Sequence, residues 1–307
     1  MRLDKLATLL LLSLLVTTKA PAQSESSKQT FAPGPDENSL LWKISGKDLS
    51  HPSYLFGTIH IIGKDDFFLS DSTRSFINQA DLITFEINME EMNNLASQFD
   101  LIMKSFMDNG KSLRDLLTPE DYQLVNKHFN EMGIPLFMFE RMKPLFLTVF
   151  AGLDMNPQAM SSGEMLSYEM EIMTLAKKMN KKIDGLETAE FQMSVFDSIP
   201  YEAQAQMLVE SIRSSASGDD ELERMIKLYK DQDINGMISM MQTEEQGIGH
   251  YEDLLLVSRN KNWIPGMSSM MSRQKTFFAV GAGHLGGETG VVALLRQAGY
   301  TLSPVRG

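Results

Sequence analysis

The sequence predicts an α+β fold: a central mixed β-sheet built from strands of the N- and C-terminal parts, capped by a large helical insertion. Three observations predict it. Apolar runs of strand length, rich in aromatic and β-branched residues, cluster at 40–88 and 275–305. From Met89 to about Ser272 the apolar spacing is almost all helical. A strand–GxxH–helix–strand unit occurs twice, at 53–88 and at 275–305, as a weak internal duplication would leave it.

The first 22 residues read as a secretory signal. Arg2 and Lys5 precede an apolar run from Leu6 to Val16, and Ala20-Pro-Ala22 supplies an A-x-A cleavage site. The run is too short for a permanent membrane span, so no stable membrane insertion is expected after cleavage. Residues 23–38, polar with Pro and Gly, read as a disordered lead-in. Residues 39–307 then form a single domain, with the helical insertion over about 89–272.

Within that domain, Leu40–Ser45 and Ser53–His60 read as a hairpin joined by the turn-rich GKDLSHP. A helix follows over Asp66–Ala80, then a strand over Asp81–Asn88 with Leu82, Ile83 and Phe85 buried. Thr118-Pro119-Glu120-Asp121 marks a helix start, with Thr as N-cap and Pro in the first helical position. Further helices are predicted at Leu136–Gly152, Glu164–Met179, Thr188–Phe196, Tyr201–Ser214, Glu221–Lys230, Asp233–Met241 and Tyr251–Asn260. Lys182–Leu186 reads as a short extra strand. Lys275–Val280 returns to strand, Glu288–Gln297 to helix, and Tyr300–Val305 closes the sheet.

Composition narrows the chemistry. The chain has 307 residues, no Cys and a formal charge of −12. Disulfides and thiolate catalysis are excluded, so any metal must bind through His, carboxylate or water. An acidic chain without a basic stripe is not suited to nucleic acid or anionic lipid. The 23 Met fall mostly at helical spacing and suit adaptable core packing.

The chain has five His, and two of them end matching turns: Gly57-Thr-Ile-His60 and Gly281-Ala-Gly-His284. Strand ends in open sheets are where ligand sites form. Imidazole is both a common metal ligand and an acid–base group, so the two turns read as halves of one site. Glu86 sits in the apolar strand DLITFEIN. It either reaches the same cleft, if its strand lies beside the GTIH strand, or faces water from an edge strand. Arg259 follows the apolar run LLLVS at the end of a predicted helix. There it either complements the helix C-terminus or stands over the cleft as a fixed cation. His51 and His128 read as structural; His250, after Gly-Ile-Gly, is a spare candidate for the site lining. GAGHLGG lacks the Walker Lys-Ser/Thr and the GxGxxG spacing, and no GxSxG elbow exists.

Taken together, YLFGTIHI, FEIN, DGLETAEFQ (Asp184–Gln192), LLLVSRNKNW and FAVGAGHLGGETGVVALLRQAGYTLSPV resemble the TraB/GumN family, to which the Tiki-type Wnt-cleaving metalloproteases belong. The resemblance implies a fold related to the erythromycin-esterase and ChaN-like proteins. It also implies metal-dependent hydrolysis through paired GxxH histidines with a Glu and an Arg, which fall on His60, His284, Glu86 and Arg259. The Glu of DGLET falls on Glu187, with no role attached. Gly286-Gly287 stands where relatives often carry Pro-Gly, a change that touches no ligand. Mn²⁺ or Co²⁺ is implied by the Tiki resemblance, while ligand chemistry alone equally allows Zn²⁺.

The expected protein is therefore a secreted or periplasmic metal-dependent hydrolase, most simply a peptidase acting on a peptide or protein substrate. His60, His284 and Glu86 hold the metal and leave a position open for water. Arg259 stabilises the oxyanion, and Glu86 is alternatively the general base. The rivals are a metal-free esterase-like hydrolase in which Glu86 orients a His base, a peptide- or signal-binding protein, and an accessory protein of envelope polysaccharide assembly.

Overall fold

Eight strands occur among the residues that the computed structural model describes, which are 30–88, 95–151, 162–217, 221–242 and 251–306. They are β1 (Leu41–Ser45), β2 (Ser53–Thr58), β3 (Ile62–Gly63), β4 (Leu82–Ile87), β5 (Met165–Leu166), β6 (Lys182–Glu187), β7 (Thr276–Gly281) and β8 (Thr301–Pro304). Six of them form one sheet in the order β6-β4-β7-β2-β1-β8, and β3 pairs with β5. The pairs β2–β7, β4–β7 and β4–β6 are parallel, whereas β1 is antiparallel to β2 and to β8. The mixed sheet expected from the chain ends is thus present, with β6 from the helical middle on its edge.

The interior strands are apolar because both faces are covered. Every residue of β2 is buried, as is every residue of β7 except Gly281. Tyr54, Phe56, Phe277 and Phe278 pack in the same core as Tyr168 and Ile172 of helix Tyr168–Lys178, Trp263 and Met267 of helix Ser258–Arg273, and Val291 and Leu295 of helix Val291–Gln297. The insertion carries a second, smaller core. Val125 and Phe129 of helix Pro119–Glu131 meet Leu147, Leu208 and Ile212 there. The predicted cap is observed: Thr118 accepts a hydrogen bond from the Asp121 N–H at 3.1 Å.

Several expectations are corrected. The first helix spans Asp71–Gln79 and not Asp66–Ala80, because the Ser70 hydroxyl caps it and the chain before it leaves a turn at 64–66 without helical structure. The region 136–152 is not one helix. A single turn at Leu136–Met138 ends before Pro144, which cannot donate to a preceding turn and starts the helix Pro144–Ala151. Met165-Leu166 is strand, so the helix expected from Glu164 starts at Tyr168 behind the Ser167 cap. β4 does not lie beside β2, since β7 separates them, and β4 is an interior strand, not an edge.

The predicted helix Tyr251–Asn260 does not stop at Asn260. A single wide turn over Asp253–Val257 runs straight into the helix Ser258–Arg273, which carries Pro265 in its interior. Arg259 therefore lies in the first turn of a long helix, and the reading as a cation at a helix C-terminus falls away.

Of the stretch expected as a lead-in, 30–38 is described, and its last residues are tied to the domain. Glu37 pairs with Arg296 at 2.7 Å and Asn38 donates to Asp233 at 2.7 Å. The expected signal segment, residues 23–29 and His250 lie outside the described residues. No helix among the described residues is long and apolar enough to cross a membrane.

Candidate active site

The parallel pairing puts the carboxyl ends of β2, β4, β6 and β7 on one edge of the sheet, and the candidate residues gather there. In the register, Gly57 lies opposite Val280 and Thr58 opposite Gly281, so the two GxxH segments leave neighbouring strands side by side. Gly57 is needed for this approach. A Cβ there would stand 3.0 Å from Leu285 Cδ2 and 3.1 Å from Ala282 Cα, both in or next to the second motif.

Gly281 opens the space between the candidate side chains. A Cβ on it would lie 3.3 Å from Glu86 Oε1, 3.6 Å from His284 Cδ2 and 3.9 Å from His60 Nε2. Both histidines and the glutamate thus border one point at the strand ends. Glu86 reaches it from β4, where its Oε1 accepts the Gly281 N–H at 2.8 Å and stands 3.7 Å from His284 Nε2.

The two imidazoles sit in unlike surroundings. His284 is buried against Trp263, with ring centroids 4.5 Å apart, and its Nδ1 lies 2.6 Å from Asn260 Oδ1. Asn260 donates its Nδ2 to the Thr289 carbonyl at 3.0 Å, which leaves Oδ1 as the acceptor and puts the proton on His284 Nδ1. His60 is exposed, and its Nδ1 lies 3.0 Å from Glu169 Oε1. That carboxylate also accepts from Thr58 Oγ1 at 2.7 Å and from Ser167 Oγ at 3.1 Å.

Arg259 ties the carboxylates together. Its NH2 donates to Glu86 Oε2 at 2.6 Å and to Glu187 Oε1 at 2.5 Å, and its Nε donates to Glu187 Oε1 at 3.0 Å. NH1 gives one hydrogen bond to the Leu255 carbonyl at 3.0 Å and faces His284 Nε2 at 3.4 Å. Trp263 Nε1 donates to the other oxygen of Glu187 at 2.9 Å, and Gln192 donates to both carboxylates at 3.3 and 3.4 Å. Most of the guanidinium is thus committed inside the protein, and only NH1 turns toward the site.

Charge follows from these contacts. Burial pushes the Glu86 carboxyl up, but His284, Arg259, His60 and the Gly281 N–H reverse this, bringing it to about 2. Burial, reinforced by Arg259 and His60 and opposed by Glu86, holds His284 down at about 4. The Glu169 hydrogen bond outweighs burial at His60 and raises it to about 9. Near neutral pH Glu86 is thus an anion, His284 a neutral ring and His60 an imidazolium.

Among the described residues no three His, Asp or Glu stand close enough to hold an ion as arranged. The donors nevertheless have the chemistry for one. Nδ1 of each imidazole is engaged, so an ion would take the Nε2 positions: that of His284 here faces Arg259 NH1 at 3.4 Å, that of His60 would have to release its proton, and the ionised Glu86 stands beside them.

Sequence reasoning found His60, His284, Glu86 and Arg259 and missed their supports. Asn260 stood next to Arg259 in the VSRNKNW string. Glu169, in SYEMEIM, had no signal beyond an acidic residue in the first turn of a helix. Glu187 was singled out without a role; here it is the second carboxylate on Arg259.

The chain is similar to known proteins over most of its length. The model of the TraB/PrgY/gumN family matches residues 40–304. The metalloprotease TIKI1 of Danio rerio is 24% identical over 327 residues, covering 90% of this chain and 65% of its own length. TIKI2 of the same organism is 24% identical over 331 residues, covering 90% and 63%. A metalloprotease TIKI homolog of Amphimedon queenslandica is 22% identical over 353 residues, covering 97% and 66%. The chain therefore spans about two-thirds of the length of these relatives, all of which are named metalloproteases.

Proposed function

The chain belongs to the TraB/PrgY/gumN family, and on that premise we propose that it is an exported metal-dependent hydrolase that cleaves peptide bonds. One observation carries the reading: His60 Nε2, His284 and Glu86 Oε1 border the same point over Gly281. The peptide substrate is supported by the relatives named metalloproteases, and export by the charged, apolar and A-x-A layout of residues 1–22.

His60, His284 and Glu86 would hold a divalent ion, Mn²⁺ or Co²⁺ by family resemblance and Zn²⁺ by ligand type. When bound, it supplies a water of lowered pKa and polarises the scissile carbonyl. Glu86, held at about 2, has little affinity for a proton and suits the ligand role better than that of a general base. Gly281 N–H and Arg259 NH2 each engage one of its oxygens and fix the plane of the carboxylate. Arg259 NH1 is the donor turned toward the reacting centre, and it stabilises negative charge that develops there.

The metal-free hydrolase is the second reading, because His60 and Glu169 form an imidazole–carboxylate pair at 3.0 Å. In that version Glu169 orients the base in place of Glu86.

Elemental analysis of gently purified protein, with cleavage of a peptide library before and after chelation, separates the two. Stoichiometric metal and chelator-sensitive cleavage support the proposal. Cleavage that survives complete metal removal favours the His60–Glu169 pair, and retention of peptides without turnover indicates a binding protein. Mass spectrometry of the exported protein tests the signal, with Gln23 as the expected first residue.

A further inference from the structure

We propose that Glu169 and Asn260 are positioning residues, one for each histidine, that hold His60 Nε2 and the Cδ2–Nε2 edge of His284 at the space over Gly281. This rests on the metal-dependent reading above. The observation is a matched pair of contacts: Glu169 Oε1 lies 3.0 Å from His60 Nδ1, and Asn260 Oδ1 lies 2.6 Å from His284 Nδ1. Each holder is itself held. Thr58 and Ser167 donate to the two oxygens of Glu169, and the Thr289 carbonyl takes the Asn260 amide N–H.

The two holders differ in charge, and the difference follows from burial. His284 is 4% exposed and already has Glu86 and Arg259 nearby, so a neutral amide orients it without adding a third buried charge. His60 has a side chain 70% accessible, so its charge keeps contact with water, and Glu169, 15% accessible, is compensated by Thr58 and Ser167 as well as by the ring. Orientation is common to both sides; charge is particular to His60. Ligating imidazoles elsewhere depend on such partners, and removing one typically lowers metal affinity about 10- to 100-fold.

The test uses the full-length mature protein, freed of metal and titrated with Co²⁺ while the visible absorption of the ion is recorded. Glu169→Ala and Asn260→Ala should each lose about 10- to 100-fold in Co²⁺ affinity, with a changed absorption envelope. Glu169→Gln keeps an acceptor for Nδ1 but no charge. Asn260 already does this work with an amide, so Glu169→Gln should recover most of the lost affinity. A second readout needs no metal: the imidazole ¹⁵N shifts of His284 in the metal-free protein. Wild type should carry its proton on Nδ1, and Asn260→Ala should move it toward Nε2. Thermal melts run beside both, and Glu169→Gln serves where Glu169→Ala fails to fold.

Unchanged Co²⁺ affinity and spectrum in both alanine variants would overturn the proposal. If wild type binds no Co²⁺ but Asn260→Ala still shifts the His284 proton, the metal reading fails and the positioning role of Asn260 stands. If neither the metal nor the proton responds, both are wrong.

Discussion

Glu86 accepts the backbone N–H of Gly281 at 2.8 Å, one carboxylate oxygen bound to the neighbouring parallel strand at the point where that strand ends. The bond sets the height of the carboxylate above the sheet. The missing side chain at Gly281 leaves the room that His60, His284 and Glu86 share. The site is thus as much a property of a glycine as of the groups around it.

Gly281→Ala tests that relationship. The backbone there, at φ −53° and ψ 136°, suits alanine, so folding stability should hold or rise slightly. The methyl would stand 3.3 Å from Glu86 Oε1 and occupy the shared space. Peptide cleavage should fall about a hundredfold, the scale of a small misplacement of reacting groups. Kinetics and a thermal melt of the same preparation decide it; full activity would show that the chemistry lies elsewhere.

His60→Ala and His284→Ala should each remove bound metal and turnover together. They should differ in stability. His60 is exposed and its pair with Glu169 is partly screened by water, so its loss should change the metal-free melt by no more than about 1 kcal/mol. His284 packs on Trp263 and engages Asn260, so its loss should cost more, about 1–3 kcal/mol. Urea melts with metal analysis read both effects. A variant that keeps metal and turnover would end the proposed mechanism.

Glu187→Ala should be strongly destabilising. It leaves Arg259 with Glu86 alone and strips Trp263 Nε1 of its acceptor. Removing one partner of a buried pair costs about 3–5 kcal/mol. Glu187→Gln keeps the acceptors and should cost less. Equal urea midpoints for wild type and Glu187→Ala would show that the pair is energetically idle.

Arg259→Lys keeps the charge and loses the fork that spans two carboxylates. It should retain metal while turnover falls about 10²–10³-fold, the scale of a lost oxyanion donor. Arg259→Ala is the poorer probe, since it strands both buried carboxylates and should unfold at lower urea. Lysine-variant turnover equal to wild type would reduce Arg259 to a structural role.

Acid should weaken the metal-free protein through His284. Its folded pKa, about 4, lies below the ordinary 6.5, so the unfolded chain takes up the proton first. The contribution is complete above pH 6.5 and is lost as pH falls toward 4, at up to about 1.4 kcal/mol per pH unit. Urea melts with chelator across that window should slope downward in wild type and less in His284→Gln. Parallel slopes would place the titrating group elsewhere.

Much of the architecture was legible in the chain. Hydrophobic runs marked β1, β2, β4, β7 and β8, and the Thr118 cap marked its helix. These are local signals, carried by side-chain periodicity and by the chemistry of one turn. The misread boundaries had competing local signals. The helix expected to end at Asn260 runs on to Arg273 through Pro265, with Trp263, Met267 and Met271 packed in the core. Burial of that apolar face outweighs the cost of one interior proline.

The groups able to do chemistry can be read from the chain alone: two GxxH histidines, a glutamate in an apolar strand, an arginine after an apolar run, and no thiol. How they meet is a product of the fold. β7 lies between β2 and β4, Gly281 opens the common space, and Glu187, Glu169 and Asn260 arrive from the helical middle of the chain to hold Arg259 and the two rings. The physical reason is the range of the interactions. A strand or a cap is set by residues a few positions apart, whereas a buried polar or charged group is tolerable only beside a partner, and these partners stand 24 to 195 positions away.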